Sequence, residues 1–221
     1  DRRVFVHCHG FDITHDLKHH QNPLNYYHSI EYRTFLYQLP NQINFIANSL
    51  NTKNYLLNYG VSEEKIKILY FGVPVEGIIP VKPEKPVRIL FLGRLVDFKG
   101  PDLTIRAFEK ACEKGLDGEL CIAGDGPLMV TCQLLKSQSK YGERIKISGK
   151  VDYETGRILR SESHIFTAHN AIGSLSNQEE AYGVSIIEAM GAGLPVVTGR
   201  SGGIQETVVH GETGYLFKPG D

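Results

Sequence analysis

A chain of 221 residues, 41% apolar and 22% charged, has the ordinary composition of a globular protein and room for one large domain or two modest ones. A formal net charge of -1 and the lack of a long basic cluster exclude a field that attracts nucleic acid, and no apolar run is long enough to span a membrane. Four cysteines without paired spacing (Cys8, Cys112, Cys121, Cys132) read as reduced side chains of a cytoplasmic protein, and no signal peptide is recognisable.

Short β-branched runs alternate with helical patterns, which predicts an α/β fold with parallel sheets. The first strand is expected at Val4–His9 and ends in His7-Cys8-His9-Gly10-Phe11-Asp12. Residues two apart share a strand face, so His7 and His9 could share a metal. No other ligand at a recognisable spacing completes a set, and His15, His19 and His20 fall in a loop. The favoured reading is that His9 lines a cleft and donates to a substrate hydroxyl, with a core histidine as the alternative. Next come a helix at Tyr27–Leu39, a strand at Ile43–Ala47, a helix at Leu50–Tyr59 and a strand at Ile66–Tyr70. Asn48-Ser49 is a good cap for that second helix and Gly60 a good stop. Four prolines (Pro74, Pro80, Pro83, Pro86) between Gly72 and Pro86, without periodicity, read as a linker. Three strands before it are too few for a complete doubly wound sheet. The expected division is therefore an incomplete first domain at 1–72, a linker at 73–86 and a second domain at 87–221.

In the second segment, strand Val87–Leu92 ends in Gly93-Arg94-Leu-Val-Asp-Phe-Lys99-Gly100, and a helix follows over Gly100–Lys114. A glycine turn, two cations and a helix N-terminus form a plausible diphosphate site, with a solvated loop as the alternative. It is neither a Walker loop nor a Gly-x-Gly-x-x-Gly turn. Strand Gly118–Ala123 leads through Gly124-Asp125-Gly126 into helix Pro127–Lys140; here the glycines are expected to make the turn and Asp125 to cap the helix. Strand Ile145–Ser148, helix Tyr153–Ser161 and strand His164–Thr167 follow.

Helix Val184–Gly191 belongs to the most telling stretch. From Val184 to Val197 the only polar side chains are Ser185 and Glu188, and an unpaired carboxylate there costs several kcal/mol, so something must bind it or it must face a cleft. Eight residues earlier stands Glu180, at the entrance of the helix after Gly183. Two carboxylates around a helix N-terminus suit a ligand with hydroxyls and phosphate, with a surface acid and a buried, hydrogen-bonded glutamate as the alternative. Strand Pro195–Thr198, the bare amides of Ser201-Gly202-Gly203, helix Ile204–Val209 bearing Glu206, and strand Tyr215–Phe217 complete the pattern.

The ordered set resembles a family 4 retaining glycosyltransferase of the GT-B fold. It comprises His9-Gly-Phe-Asp12, Asn48-Ser49, Gly72-Val73, Gly93-Arg-Leu with Lys99-Gly100, Ala123-Gly-Asp-Gly126, Glu180 with Glu188-Ala-Met, Gly202-Gly-Ile-x-Glu206 and Gly211-Glu-Thr-Gly214. The resemblance implies two Rossmann-like domains facing across a cleft. The first would be present here as its C-terminal half, and the donor domain would lack its last helices. The resemblance further implies that Arg94 and Lys99 hold the donor diphosphate and that Glu188 accepts from the ribose hydroxyls. Glu180, with the amides of Tyr182, Gly183 and Val184, would grip the sugar and phosphate. Main chain at Gly93, Gly149, Val151, Gly202 and Gly203 would border the donor, and His9 would reach the sugar from the opposite domain. No cofactor and no metal are expected, only a UDP- or GDP-linked sugar. The loop Asn170–Glu179 is long and resembles the subgroup acting in bacterial exopolysaccharide or lipopolysaccharide assembly. The expected acceptor is a saccharide or a lipid-linked sugar, used in the cytoplasm or at the inner membrane face, with peripheral membrane association through segments outside this chain. His164 and Ala168-His169 replace residues usual in the family, which bears on sugar and acceptor preference. The competing expectations are a non-catalytic sugar-nucleotide-binding domain and a GT-B relative such as a sugar-nucleotide epimerase or a phosphorylase.

Overall fold

The computed structural model describes residues 3–14, 35–36, 38–40, 42–75 and 85–220. Most of the helix expected at Tyr27–Leu39, the loop histidines His15, His19 and His20, and the linker prolines Pro80 and Pro83 lie outside them. In chain order the elements are β1 (Val4–Cys8), α1 (Phe11–Thr14), β2 (Ile43–Ala47), α2 (Leu50–Asn58), β3 (Ile66–Ile68), β4 (Val87–Leu92), α3 (Pro101–Glu113), β5 (Gly118–Ala123), α4 (Met129–Gln138), β6 (Ile145–Gly149), α5 (Tyr153–Glu162), β7 (Ile165–Ala168), α6 (Val184–Gly191), β8 (Val196–Gly199), α7 (Ile204–Thr207) and β9 (Gly214–Phe217). Two sheets result, one of order β1-β2-β3 and one of order β6-β5-β4-β7-β8-β9. Every strand pair is parallel.

The large sheet is buried on both faces, as a parallel sheet flanked by helices must be. Successive residues Leu90 and Phe91 of its central strand are both buried, one toward each helical layer. Helix α3 offers Thr104, Ile105, Phe108 and Cys112, a stripe at three- and four-residue spacing, to the same core as Leu120, Ile122 and Phe166. A second core gathers Cys8, Ile13, Phe45, Ala47, Leu56 and Ile66 under the small sheet. Burial, with the Asp12 carboxylate beside it, pushes the Cys8 thiol well above the ordinary range, so Cys8 packs as an apolar residue.

The two layers touch through the N-terminus of α2. Ser49 caps this helix from within, its oxygen accepting from the Thr52 amide at 3.0 Å. Glu206, on α7 of the other layer, accepts from the amides of Leu50 at 2.7 Å and Asn51 at 2.9 Å, and Tyr70 donates its hydroxyl to the same carboxylate. Glu179 accepts from the Asn51 side chain at 2.8 Å and the Tyr55 hydroxyl at 3.0 Å. A helix start carries about half a positive charge, so Glu206 holds the layers together by satisfying amides that the helix itself cannot. Small residues permit the approach: a Cβ on Gly10 would stand 2.7 Å from the Ala181 Cβ.

If this contact carries the join, Glu206→Ala costs about 1 kcal/mol of unfolding free energy, the usual worth of a helix cap. Glu206→Gln, which keeps one acceptor, should cost less. Denaturant titration of the three proteins checks this, and equal stability of parent and alanine variant contradicts it.

Candidate active site

The order of the large sheet, β6-β5-β4-β7-β8-β9, changes its direction of growth between β4 and β7. In open parallel sheets, ligands bind outside the strand C-termini at such a point. The Gly93–Gly100 turn follows β4, and the loop bearing Glu180 follows β7. Topology alone therefore brings the predicted diphosphate loop and the first predicted carboxylate to one crevice.

Lys99 ends a 3₁₀ turn, Asp97–Lys99, in a stretch where the sequence pattern predicts only loop. Gly100 closes the turn at φ 55°, and a Cβ there would lie 2.5 Å from the His169 carbonyl oxygen. Across the crevice the Lys99 ammonium pairs with Glu180 Oε2, and the two side chains are 15% and 13% exposed. The stem of Lys99 passes over Gly93, where an added Cβ would be only in van der Waals contact, 3.5 Å from Cδ. Glu180 Oε1 accepts from the amide of Gly183, which starts α6 at φ 84°. Burial alone would raise the Glu180 carboxyl, but the Lys99 ammonium and the amides of Gly183 and Tyr182 outweigh it and hold the group below the usual carboxylate range. Glu180 is thus an ionised carboxylate at a helix N-terminus, beside a cation. An anionic ligand would find the same donors.

Arg94 is exposed, with its guanidinium 5.9 Å from the centroid of the buried Phe98 ring, while the Lys99 ammonium stands 5.6 Å from that ring. Among the described residues Arg94 has no carboxylate partner, which leaves its donors available at the crevice mouth. Val184, the first residue of α6, is 41% exposed, and the opening turn of a helix leaves amides without intrahelical acceptors.

Glu188 sits inside α6, and its partner is Arg160 of α5 at 3.1 Å. Arg160 is 6% exposed and Glu188 25%, so one carboxylate edge remains open beside Pro74, Tyr153 and Gly191. This resolves how a carboxylate persists in an apolar helix: a buried guanidinium neutralises it. Sequence pattern does not single out Arg160, because an arginine in the last turn of a helix reads as a solvated charge; the sole hint is Gly156, one turn earlier, which makes room beside it.

His9 is exposed, and its ring stacks on Phe71 at 5.2 Å and on His7 at 5.8 Å. It is therefore not a core histidine. Phe71 meets Tyr182 edge-on at 5.8 Å, and the Tyr182 hydroxyl donates to the Phe71 carbonyl at 3.1 Å. A column of rings thus runs from β1 across the join to the residue before Gly183. Gly149 ends β6 and Val151 lies between β6 and α5, where Asp152 caps the helix through the Thr155 amide; Gly149 has φ 68° and open space around it. Among the described residues no three His, Cys, Asp or Glu side chains gather as a metal-ligand set.

Two glycine turns hold contacts that the sequence does not show, and Asp125 does not cap α4. Gly203 donates its amide to the Glu180 carbonyl at 2.9 Å, and a Cβ on Gly202 or Gly203 would fall 2.0 Å from the carbonyl oxygen of Glu180 or Ala181. These glycines let the α7 loop lie against the Glu180 loop, with one amide already used. Asp125 accepts from the next amide, Gly126, at 2.7 Å, and α4 begins later, at Met129, without a side-chain cap. Gly124 and Gly126 make the expected turn, at φ 145° and 154°, and also press on the Gly93 and Leu95 carbonyls, zipping two strand-end turns together.

Two parallel α/β layers with a donor-rich crevice at the switch point define a protein of the GT-B kind. A family model described as glycosyl transferases group 1 matches residues 78–221, and the chain belongs to that family. It is 33% identical over 133 residues to a GDP-mannose-dependent alpha-(1-6)-phosphatidylinositol monomannoside mannosyltransferase of Mycolicibacterium smegmatis, covering 60% of this chain and 35% of that protein. It is 32% identical over 117 residues to the N-acetyl-alpha-D-glucosaminyl L-malate synthase of Bacillus anthracis, covering 53% of this chain and 28% of that protein. The solved structure of Anabaena Alr3699/HepE in complex with UDP and glucose superposes on all of this chain and 59% of that one, with a TM-score of 0.76 at 22% identity, a likeness of fold. The chain thus spans about a third of the length of these curated relatives.

The Arg160–Glu188 pair carries its own prediction. Glu188→Ala strands a buried guanidinium and should cost about 3 kcal/mol of stability, whereas Glu188→Gln keeps an acceptor and costs less. Chemical denaturation separates the two, and an alanine variant as stable as the parent contradicts the pairing.

Proposed function

We propose that this chain provides the donor side of a retaining, metal-independent glycosyltransferase, which moves a hexose from a nucleoside-diphosphate sugar to a saccharide or lipid-linked acceptor. The observation that carries the reading is the Lys99–Glu180 contact at the β4/β7 switch point, against the N-terminus of α6. Arg94 and Lys99 supply the positive charge that a departing nucleoside diphosphate requires, the part a divalent ion plays elsewhere. Once phosphate takes its place against Lys99, Glu180 is released to accept from the sugar hydroxyls.

In that step the bond from the sugar C1 to the phosphate oxygen breaks, and a bond from C1 to the acceptor oxygen forms on the same face. The acceptor proton passes to the leaving phosphate oxygen. Glu180 orients the sugar and is not the nucleophile. The open edge of Glu188 accepts from the ribose, main chain at Val151 borders the base, and Tyr182, Gly183 and Val184 line the phosphate end. His9 meets the sugar from the small layer. The names of the relatives support a nucleotide sugar as donor, with GDP-mannose in one and UDP with glucose in the other. The mannosyltransferase, whose name gives a phosphatidylinositol monomannoside acceptor, supports a lipid-linked one. We extend the proposal to work in the cytoplasm, at the inner membrane face, in cell-surface polysaccharide synthesis. Among the described residues no helix is long and apolar enough to cross a membrane.

Calorimetric titration of the chain with UDP, GDP, ADP and their monophosphates, in EDTA, tests this. One diphosphate should saturate the site. Lys99→Ala removes a charge-assisted hydrogen bond to the second phosphate, so it should weaken that diphosphate roughly tenfold more than its monophosphate. Equal losses for the two, or no diphosphate binding at all, contradict the assignment.

A further inference from the structure

The loop from His169 to Glu180 is long, and its shape depends on a residue of the opposite turn. Asp97 Oδ2 accepts from the amides of Leu175 at 3.0 Å and Ser176 at 3.1 Å. The Ser176 hydroxyl donates to the same carboxylate at 3.0 Å, and Oδ1 also takes the Phe98 amide at 2.9 Å. Phe98 closes the contact from the other side, its carbonyl accepting from the Ala171 amide at 2.9 Å. Among the described residues, no hydrogen bond from outside the loop other than those of Asp97 reaches residues 172–178. Gly173 packs against the same carboxylate: a Cβ there would sit 2.5 Å from Asp97 Oδ2 and from Ser176 Oγ. Burial alone would raise the Asp97 carboxyl, but the Leu175 and Ser176 amides lead the donors that outweigh it, so the group is a fully engaged anion.

The sequence makes this clamp consequential. Asp97 is two residues before Lys99, and the clamped segment ends two residues before Glu180. The two halves of the ion pair are therefore carried by the two backbones that Asp97 joins. We propose that Asp97 is a positioning residue of the donor site, which fixes the register in which Glu180 meets the transferred sugar. It touches neither sugar nor phosphate; it acts through the loop.

The inference rests on the donor reading above, and one experiment separates them. The 221-residue chain is titrated with UDP, UDP-glucose, GDP and GDP-mannose, and the pair that binds is repeated with Asp97→Asn and with Gly173→Ala. The asparagine loses one acceptor oxygen, while the alanine wedges the clamp with every charge in place. Lys99, assigned to the diphosphate, keeps its own 3₁₀ turn, whereas Glu180, assigned to the sugar, is carried by the freed loop; both variants should therefore lose roughly tenfold in affinity for the nucleotide sugar while the free diphosphate changes much less. Amide exchange at Leu175 and Ser176 should accelerate while β7 and α6 stay protected. A purely structural role would move both ligands alike, so an unchanged ratio between them overturns the inference and leaves the donor reading standing. If Asp97→Asn does not fold, Gly173→Ala decides alone. Failure of the parent chain to bind any of the four overturns both.

Discussion

The Lys99–Glu180 ion pair is the contact on which the candidate site depends. Each partner is nearly enclosed, and two charges taken from water at such exposure must be compensated by each other and by added hydrogen bonds. The compensation is present: Glu180 takes the amide of Gly183 as well as the ammonium. The pair exists because a parallel sheet that reverses its order brings two strand ends together, and because the turn after one is cationic and the loop after the other anionic. It makes chemical sense as a place held for a ligand. A carboxylate beside a lysine at a helix N-terminus occupies the position where phosphate is most stable, so exchange of one anion for another costs little electrostatic energy.

The same logic recurs at the join between layers. Carboxylates of the large layer, Glu206 and Glu179, meet the first turn of α2, and their acceptors satisfy amides, an amide side chain and a phenol of the small layer. Glu179 is the neighbour of Glu180, and Gly203 of the α7 loop binds the Glu180 carbonyl. The interlayer contact and the ligand-facing contact therefore share one short segment of backbone. The ring column from His9 through Phe71 to Tyr182 lies along the same seam.

Much of the fold was legible in the sequence, because its strands are short apolar runs separated by glycine turns. β2, β4 and β5 lie where the pattern placed them, as does α6. β3 is shorter than expected: the Leu69 amide still donates to the Ala47 carbonyl at 2.9 Å, but Tyr70 turns to Glu206. The site was legible where a residue type is odd for its surroundings: Glu188 in an apolar helix demanded a partner, and Glu180 before Gly183 suggested a helix entrance. What binds them was less legible. Arg160, Asp97 and Glu206 are charged residues in ordinary polar contexts, and their roles arise from contacts 28, 79 and 156 residues away in the chain. Beyond Gly156, one turn before Arg160, local pattern carries no trace of such pairs. Gly124 and Gly126 make the turn that the sequence suggests, at φ 145° and 154°. What the sequence does not carry is that these two, like Gly202 and Gly203, also mark places where one backbone presses on another.

A double-mutant cycle on Lys99→Met and Glu180→Gln, read by denaturant unfolding without ligand, tests the central claim most directly. If the pair organises the crevice, the two changes couple by about 1–3 kcal/mol, because either single change leaves a nearly enclosed charge alone and the double change leaves none. Additive losses, within about 0.3 kcal/mol, would mean that the two side chains do not sense each other and that the crevice is not built around them.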